Sequence, residues 1–220
     1  MNITAFRSTL AGCLAVVVLS VTAPAAHAKN YTLPLRSAVD RVPVADEDRT
    51  GYDRDLFHIW IDADRDGCDT RREVLLAEAV TAPEVTGRCR LTEGTGTWLS
   101  WYDDVEVTGQ RRLDIDHLVP LAEAWDSGAS AWNFDRRERY ANDLGDSRAL
   151  LAVTDRSNRQ KSDQDVAEWL PIDDVVCHYV SDWTAIKLRW GLTADRAEHT
   201  ALTSLAEGCP NTPVHVSTAD

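Results

Sequence analysis

The sequence predicts an α+β fold, and three observations carry that reading. Stretches in the middle of the chain alternate apolar and polar residues, the spacing turns helical towards the C-terminus, and cysteines stand in two well-separated pairs. The chain has 220 residues, 44% hydrophobic and 27% charged, which suits one folded domain with a sizeable core. The expected organisation is a leader over 1–28, a lead-in segment over 29–54 and a single domain over 55–220. Within that domain an N-terminal cap covers 55–96, a central unit 97–171 and C-terminal helices 172–210.

The leader is read from three features. Arg7 is a short basic start, Leu10 to Val21 is apolar, and Ala26-His27-Ala28 is a small-x-small cleavage site, so the mature chain is expected to begin at Lys29 outside the cell. Cys13 opens the apolar run rather than closing it, which argues against lipid attachment. No later run approaches the roughly 20 apolar residues that a bilayer span requires.

Lys29 to Asp48 carries Pro34 and Pro43 among polar residues and reads as a lead-in. Asp55 to Ile61 is a short strand or helical turn, and Arg72 to Val80 is a helix stopped before Pro83. Thr97 to Val107 and Leu113 to Val119 alternate as strands around Thr108-Gly109-Gln110, which predicts a hairpin between them. Leu121 to Trp125 and Asp135 to Asn142 are short helices, and Ala149 to Val153 is a buried strand or turn of helix. Trp183, Ile186 and Trp190 recur at helical spacing within Ser181 to Trp190, and Ala194 to Glu207 is a second helix. The tryptophans are expected to pack one core, because no row of aromatics at strand spacing marks a stacking platform.

Acidic residues outnumber basic ones by 36 to 23, and without residues 1–28 the balance is 36 to 22, a net charge of -14. That excludes broad electrostatic binding of nucleic acid or anionic lipid, so a polyanion needs a local site. Without Cys13 the cysteines are Cys68, Cys89, Cys177 and Cys209. An even number in an exported chain reads as two disulfides with three connectivities, of which the local one, Cys68–Cys89 and Cys177–Cys209, is favoured. Zinc is disfavoured by the wide spacings and the lack of a Cys-x-x-Cys pair.

Asp62, Asp64 and Asp66, followed by Gly67 and by Glu73 in twelfth place, match the calcium-loop pattern of alternate acids, a turn glycine and a closing bidentate acid. Asp69 stands where such loops carry an apolar residue. A solvated acidic turn is the plain alternative. His58, His178, His199 and His215 read as packed or surface residues.

The sharpest feature is Asp114-Ile115-Asp116-His117-Leu118-Val119-Pro120-Leu121 with Ser157-Asn158-Arg159-Gln160-Lys161-Ser162 about forty residues later. A carboxylate beside a histidine at a strand end can hold a hard cation and offer a base, and one distant amide oxygen completes the protein's share of a magnesium site. The strand must break near His117 for both side chains to serve, and Pro120 allows it. An isolated Asp-His pair is more often a structural hydrogen bond, and it is the combination of the two segments that points to an ion site with a base.

Asp116-His117-x-x-Pro120, Asn158-Arg159-x-Lys161 and Glu168-Trp169-Leu170-Pro171 together resemble the HNH (ββα-metal) endonucleases, in their secreted actinobacterial branch related to the C-terminal domain of GmrSD-type restriction endonucleases. The resemblance runs from about Asp55, through Gly67 to Arg71, Leu121 to Trp125 and Ser127-Gly128-Ala129, to Cys209. It implies a ββα-metal core and a hydrolase that cuts phosphodiester bonds of DNA, with RNA as a second substrate; the net charge of -14 adds the expectation of little sequence specificity. It further implies His117 as general base, Asp116 and Asn158 as ligands of one Mg²⁺ or Mn²⁺, and Lys161 as a phosphate contact. Asn142 is the candidate for the middle asparagine that orients His117, with Asn133 as the other. The rival reading is a catalytically inactive module that uses calcium on the Asp62 to Glu73 loop to hold a cell-wall or protein partner.

Overall fold

The computed structural model describes Met1 and residues 29–219, so the expected leader and its cleavage point at Ala28 fall outside the described residues. The segment read as a lead-in is built into the fold. β1 (Asn30–Pro34) pairs antiparallel with β8 (Pro213–Ser217), close to the other end of the chain. The short helix α1 (Leu35–Val39) then buries Leu35, Ala38 and Val39, the spacing of one helical face, against the C-terminal helices.

Asp69 caps α2 (Thr70–Ala77) by accepting from the Arg72 amide, so this helix starts earlier than the apolar run implied and stops before Val80. The Val80 amide instead donates to the Thr97 carbonyl. β2 (Val85–Thr86) and β3 (Arg90–Leu91) form a small hairpin, and the Cys68–Cys89 disulfide ties it to the start of α2.

The expected hairpin between the 97–107 and 113–119 stretches does not form. The first stretch folds back on itself as β4 (Thr97–Ser100) and β5 (Val105–Thr108), with Asp104 in the left-handed region at φ 54° between them. Gly109, at φ 74°, then passes so close to Gly94 that a Cβ there would lie 3.0 Å from the Gly94 Cα. β6 (Leu113–His117) pairs with β7 (Leu150–Thr154), Leu113 opposite Thr154 and His117 opposite Leu150. The physical reason lies in β7, whose five residues are all buried and whose backbone groups therefore need a strand partner. β6 answers with Leu113 and Ile115 buried in alternation.

Between these strands lie α3 (Leu121–Asp126) and α4 (Phe134–Ala141), and β7 runs directly into α5 (Asp155–Lys161). The C-terminal pair is α6 (Val176–Trp190) and α7 (Arg196–Gly208), joined by the Cys177–Cys209 disulfide. The molecule is thus a mixed α and β fold with small two-stranded sheets and two disulfides. Among the described residues no helix is long and apolar enough to cross a membrane.

Buried tryptophans hold the core, and each buried indole N–H finds an acceptor. Trp98 donates to the Leu75 carbonyl, Trp183 to Glu198 and Trp190 to Asp143. Lys187 is fully buried and ion-pairs with Glu123 and Glu198, which links α3, α6 and α7. Glu78 packs beside β7, and burial pushes its carboxyl up to about 7 against a hydrogen bond from the Ala152 amide. Stability that depends on a neutral Glu78 is complete below the ordinary glutamate pKa and is lost as pH rises through about 7. Glu78→Gln should therefore raise the melting temperature at pH 8 and leave it nearly unchanged at pH 4. Equal melting temperatures at pH 8 would contradict this.

Candidate active site

The end of β6 delivers Asp116 and His117 to the wall of a cleft of about 510 Å³, and α5 delivers Asn158 and Arg159 to the same wall. The Thr154 side chain caps α5 on the Ser157 amide, and with Ser157 it also donates to Asp103. The helix start is thereby fixed directly against the strand that pairs with β6. Strand, strand and helix in this order bring together residues more than forty positions apart in sequence.

His117 is buried, its ring stacked between Trp60 and Tyr140 at centroid distances of 5.7 and 6.3 Å. Its Nε2 lies 2.9 Å from the Ala141 carbonyl. A carbonyl only accepts, so Nε2 carries the hydrogen and Nδ1 keeps its lone pair. Burial pushes the imidazole down to about 4, against the Ala141 contact and with help from the charges of Arg54 and Lys161. At neutral pH the ring is uncharged and able to take a proton. A phosphate brought alongside would move it back up, towards the range where a general base works best.

Asn142, expected to orient His117, does not touch it. Its Oδ1 accepts from the Ile61 amide and the Thr70 hydroxyl, and its Nδ2 donates to the carbonyls of His58 and Glu138. It clamps the cap onto the end of α4 and so sets the neighbouring Ala141 carbonyl, which does the orienting. Asn133, the other candidate, caps α4 through the Arg136 amide and is exposed.

Lys161 also has a different place from the one expected. Its side chain is fully buried, with Nζ 2.8 and 3.0 Å from the two Asp116 oxygens and 3.0 Å from the His117 carbonyl. An ammonium so enclosed is an internal counter-ion and not a phosphate contact. Tyr102 also donates to Asp116. Burial raises the Asp116 carboxyl and lowers the Lys161 ammonium, and their mutual attraction opposes both shifts.

The donor chemistry of this wall fits a hard divalent ion. Asn158 Nδ2 donates to Asp114 at 3.1 Å, which leaves Oδ1 without a hydrogen-bond partner among the described residues. Asp116 supplies a carboxylate, and the open cleft leaves room for waters, as magnesium prefers. Because Lys161 shares that carboxylate, an ion here would be held weakly.

The calcium-loop residues lie apart from the cleft. Asp62, Asp64 and Asp66 bring carboxylate oxygens within 4.8 Å of one another, and all three are exposed. Glu73 lies near enough for their charges, after burial, to push its carboxyl up. Gly67, at φ 101°, makes the turn and donates its amide to Asp62. Asp69 is engaged as the cap of α2 and pairs with Arg72.

Sequence reasoning missed Tyr102, Trp60, Tyr52, Arg54 and the Ala141 carbonyl. A backbone carbonyl leaves no signature in sequence, and the other four belong to no motif.

The family of GmrSD restriction endonucleases, C-terminal domain, matches residues 86–205, more than half of the chain. The chain belongs to that family, and membership points to a nuclease-like function. It is also similar to an uncharacterized secreted protein of Arthroderma benhamiae, 37% identical over 206 residues that cover 91% of this chain and 98% of the relative. No solved structure matches.

Proposed function

We propose that the protein is a secreted, divalent-ion-dependent endonuclease of the HNH (ββα-metal) type, of the branch the sequence resembles, with β6, β7 and α5 as its core. It would hydrolyse phosphodiester bonds of DNA, and of RNA as a second substrate, with little sequence preference. One observation carries this reading. An imidazole whose Nε2 is bonded to the Ala141 carbonyl, so that Nδ1 keeps its lone pair, lines the same cleft as a carboxylate and an amide suited to a hard cation.

In this mechanism His117 takes the proton of the attacking water on Nδ1, and the Ala141 carbonyl steadies the imidazolium that forms. Trp60 and Tyr140 hold the ring plane. An ion on Asp116 and Asn158 would supply positive charge to the phosphate and the leaving oxygen. Lys161 keeps Asp116 ionised and in place. The acidic net charge, with Asp155 paired to Arg159 and Asp163 to Arg49, favours weak, nonspecific binding over tight duplex recognition. The Asp62 to Glu73 loop is a separate calcium proposal, and it is the feature that favours the rival reading of a binding module.

Asn158→Ala tests the ion site with little risk to folding, because Asn158 is only half-buried. The magnesium concentration giving half-maximal plasmid nicking should rise about 10-fold or more, in line with loss of a direct ligand. Excess Mn²⁺ should restore part of the rate. An unchanged ion requirement would remove Asn158 from the site.

A further inference from the structure

The cleft has a wall that the family match does not reach. Residues 86–205 contain Asp116, His117 and Asn158, but Tyr52 and Arg54 come from the segment before α2. That segment is pinned at several points. Arg49 donates to Asp126 at 2.6 Å and to Asp163 at 2.7 Å, and the Trp125 indole donates to the Thr50 carbonyl. Arg137 donates to the Leu56 carbonyl, and buried Phe57 packs on Trp125 and Tyr140. Arg54 opens the 3₁₀ turn Arg54–Leu56, capped by Asp53, so its backbone is set before any ligand arrives.

The cations around the cleft differ in how they are engaged. Lys161 is enclosed with Asp116, Arg49 is held by two aspartates, and Arg159 pairs with Asp155 at 3.3 Å. Arg54 is exposed and meets the Tyr52 hydroxyl, and among the described residues it has no carboxylate at ion-pair distance. Its charge is felt by the His117 imidazole across the cleft. In a chain of net charge -13, a guanidinium left without an acid beside the proposed base is suited to an incoming anion.

We propose that Arg54 binds the scissile phosphate, donating to a non-bridging oxygen while His117 acts on the water, and that the cap is therefore part of the active site. This deepens the nuclease reading and rests on it. The planar fork of arginine matches phosphate geometry, and the pinned turn removes much of the ordering cost. The phosphate contact that the sequence placed on Lys161 thus falls to a residue from outside the matched domain.

The test uses the full mature chain as wild type, Arg54→Ala, Arg54→Lys and Arg111→Ala, each checked by thermal melting. Arg111 is an exposed arginine paired with Glu93 away from the cleft, and it controls for simple loss of charge. Nicking of supercoiled plasmid is measured over a series of sodium chloride concentrations. Arg54→Ala should lower kcat/KM about 10- to 100-fold, the scale of one charge-assisted hydrogen bond. Its logarithmic salt slope should shrink by about one phosphate contact. Arg54→Lys should regain part of the rate, and Arg111→Ala should match wild type. If wild type cuts while Arg54→Ala cuts equally well with the same slope, or if Arg111→Ala loses as much, the assignment of Arg54 is wrong and the nuclease reading stands. If wild type cuts nothing, the nuclease reading falls and Arg54 falls with it.

Discussion

His117→Ala should fold, bind nucleic acid and leave it uncut. Of the proposed set only the imidazole keeps an unprotonated nitrogen, so its loss removes the proton acceptor and leaves Asp116, Asn158 and Arg54 in place. The expected fall in turnover is about 10²- to 10⁴-fold, the usual contribution of a positioned base. Binding of a fluorescent duplex, followed by anisotropy, should stay near wild type. A variant that cuts at the wild-type rate would remove His117 from the mechanism. One that fails to bind as well would show that the ring serves mainly to hold Trp60 and Tyr140 apart.

Lys161→Met should cost stability rather than affinity. Lys161 and Asp116 are both buried, and removing the ammonium leaves the carboxylate with only the Tyr102 hydroxyl. Breaking one side of such a pair costs about 3 to 5 kcal/mol, a large share of the stability of a domain this size. Urea unfolding should show that loss, and Lys161→Met combined with Asp116→Asn should recover much of it, because no buried charge is then left alone. The motif-based reading of Lys161 as a phosphate contact predicts the reverse pattern. Unchanged stability with a flatter salt dependence of DNA binding would restore that reading.

Asp116, His117 and Asn158 were legible because two short segments carry chemically matched residues, and the structure brings them to one cleft. The burial of β7 was legible in Leu150-Leu151-Ala152-Val153, but neither its choice of strand over helix nor its partner was. Alternation along Leu113 to His117 says that a strand exists, and nothing in it says whether residues 97–108 or 150–154 will lie beside it. The pairing of β1 with β8 is less legible still, because it joins the two ends of the described chain. Burial of a single lysine depends on what surrounds it in space, and Lys161 reads as a solvated cation until Tyr102 and β6 enclose it. Asn142 does not make the contact expected of it, since its side chain bonds Ile61, Thr70, His58 and Glu138 rather than His117. Arg54 and Trp60 belong to a segment whose place against the cleft is set by Phe57, Arg49 and Arg137, and no local pattern reports it.

Divalent-ion-dependent cleavage is tested most directly by the conversion of supercoiled plasmid to nicked and linear forms by the purified mature chain, with magnesium or manganese and with a chelator in parallel. The endonuclease assignment predicts conversion with either ion, none in the chelator, and recovery when the ion is returned in excess. A chain that leaves plasmid and RNA intact with every divalent ion tried, while folded and with both disulfides formed, would contradict it.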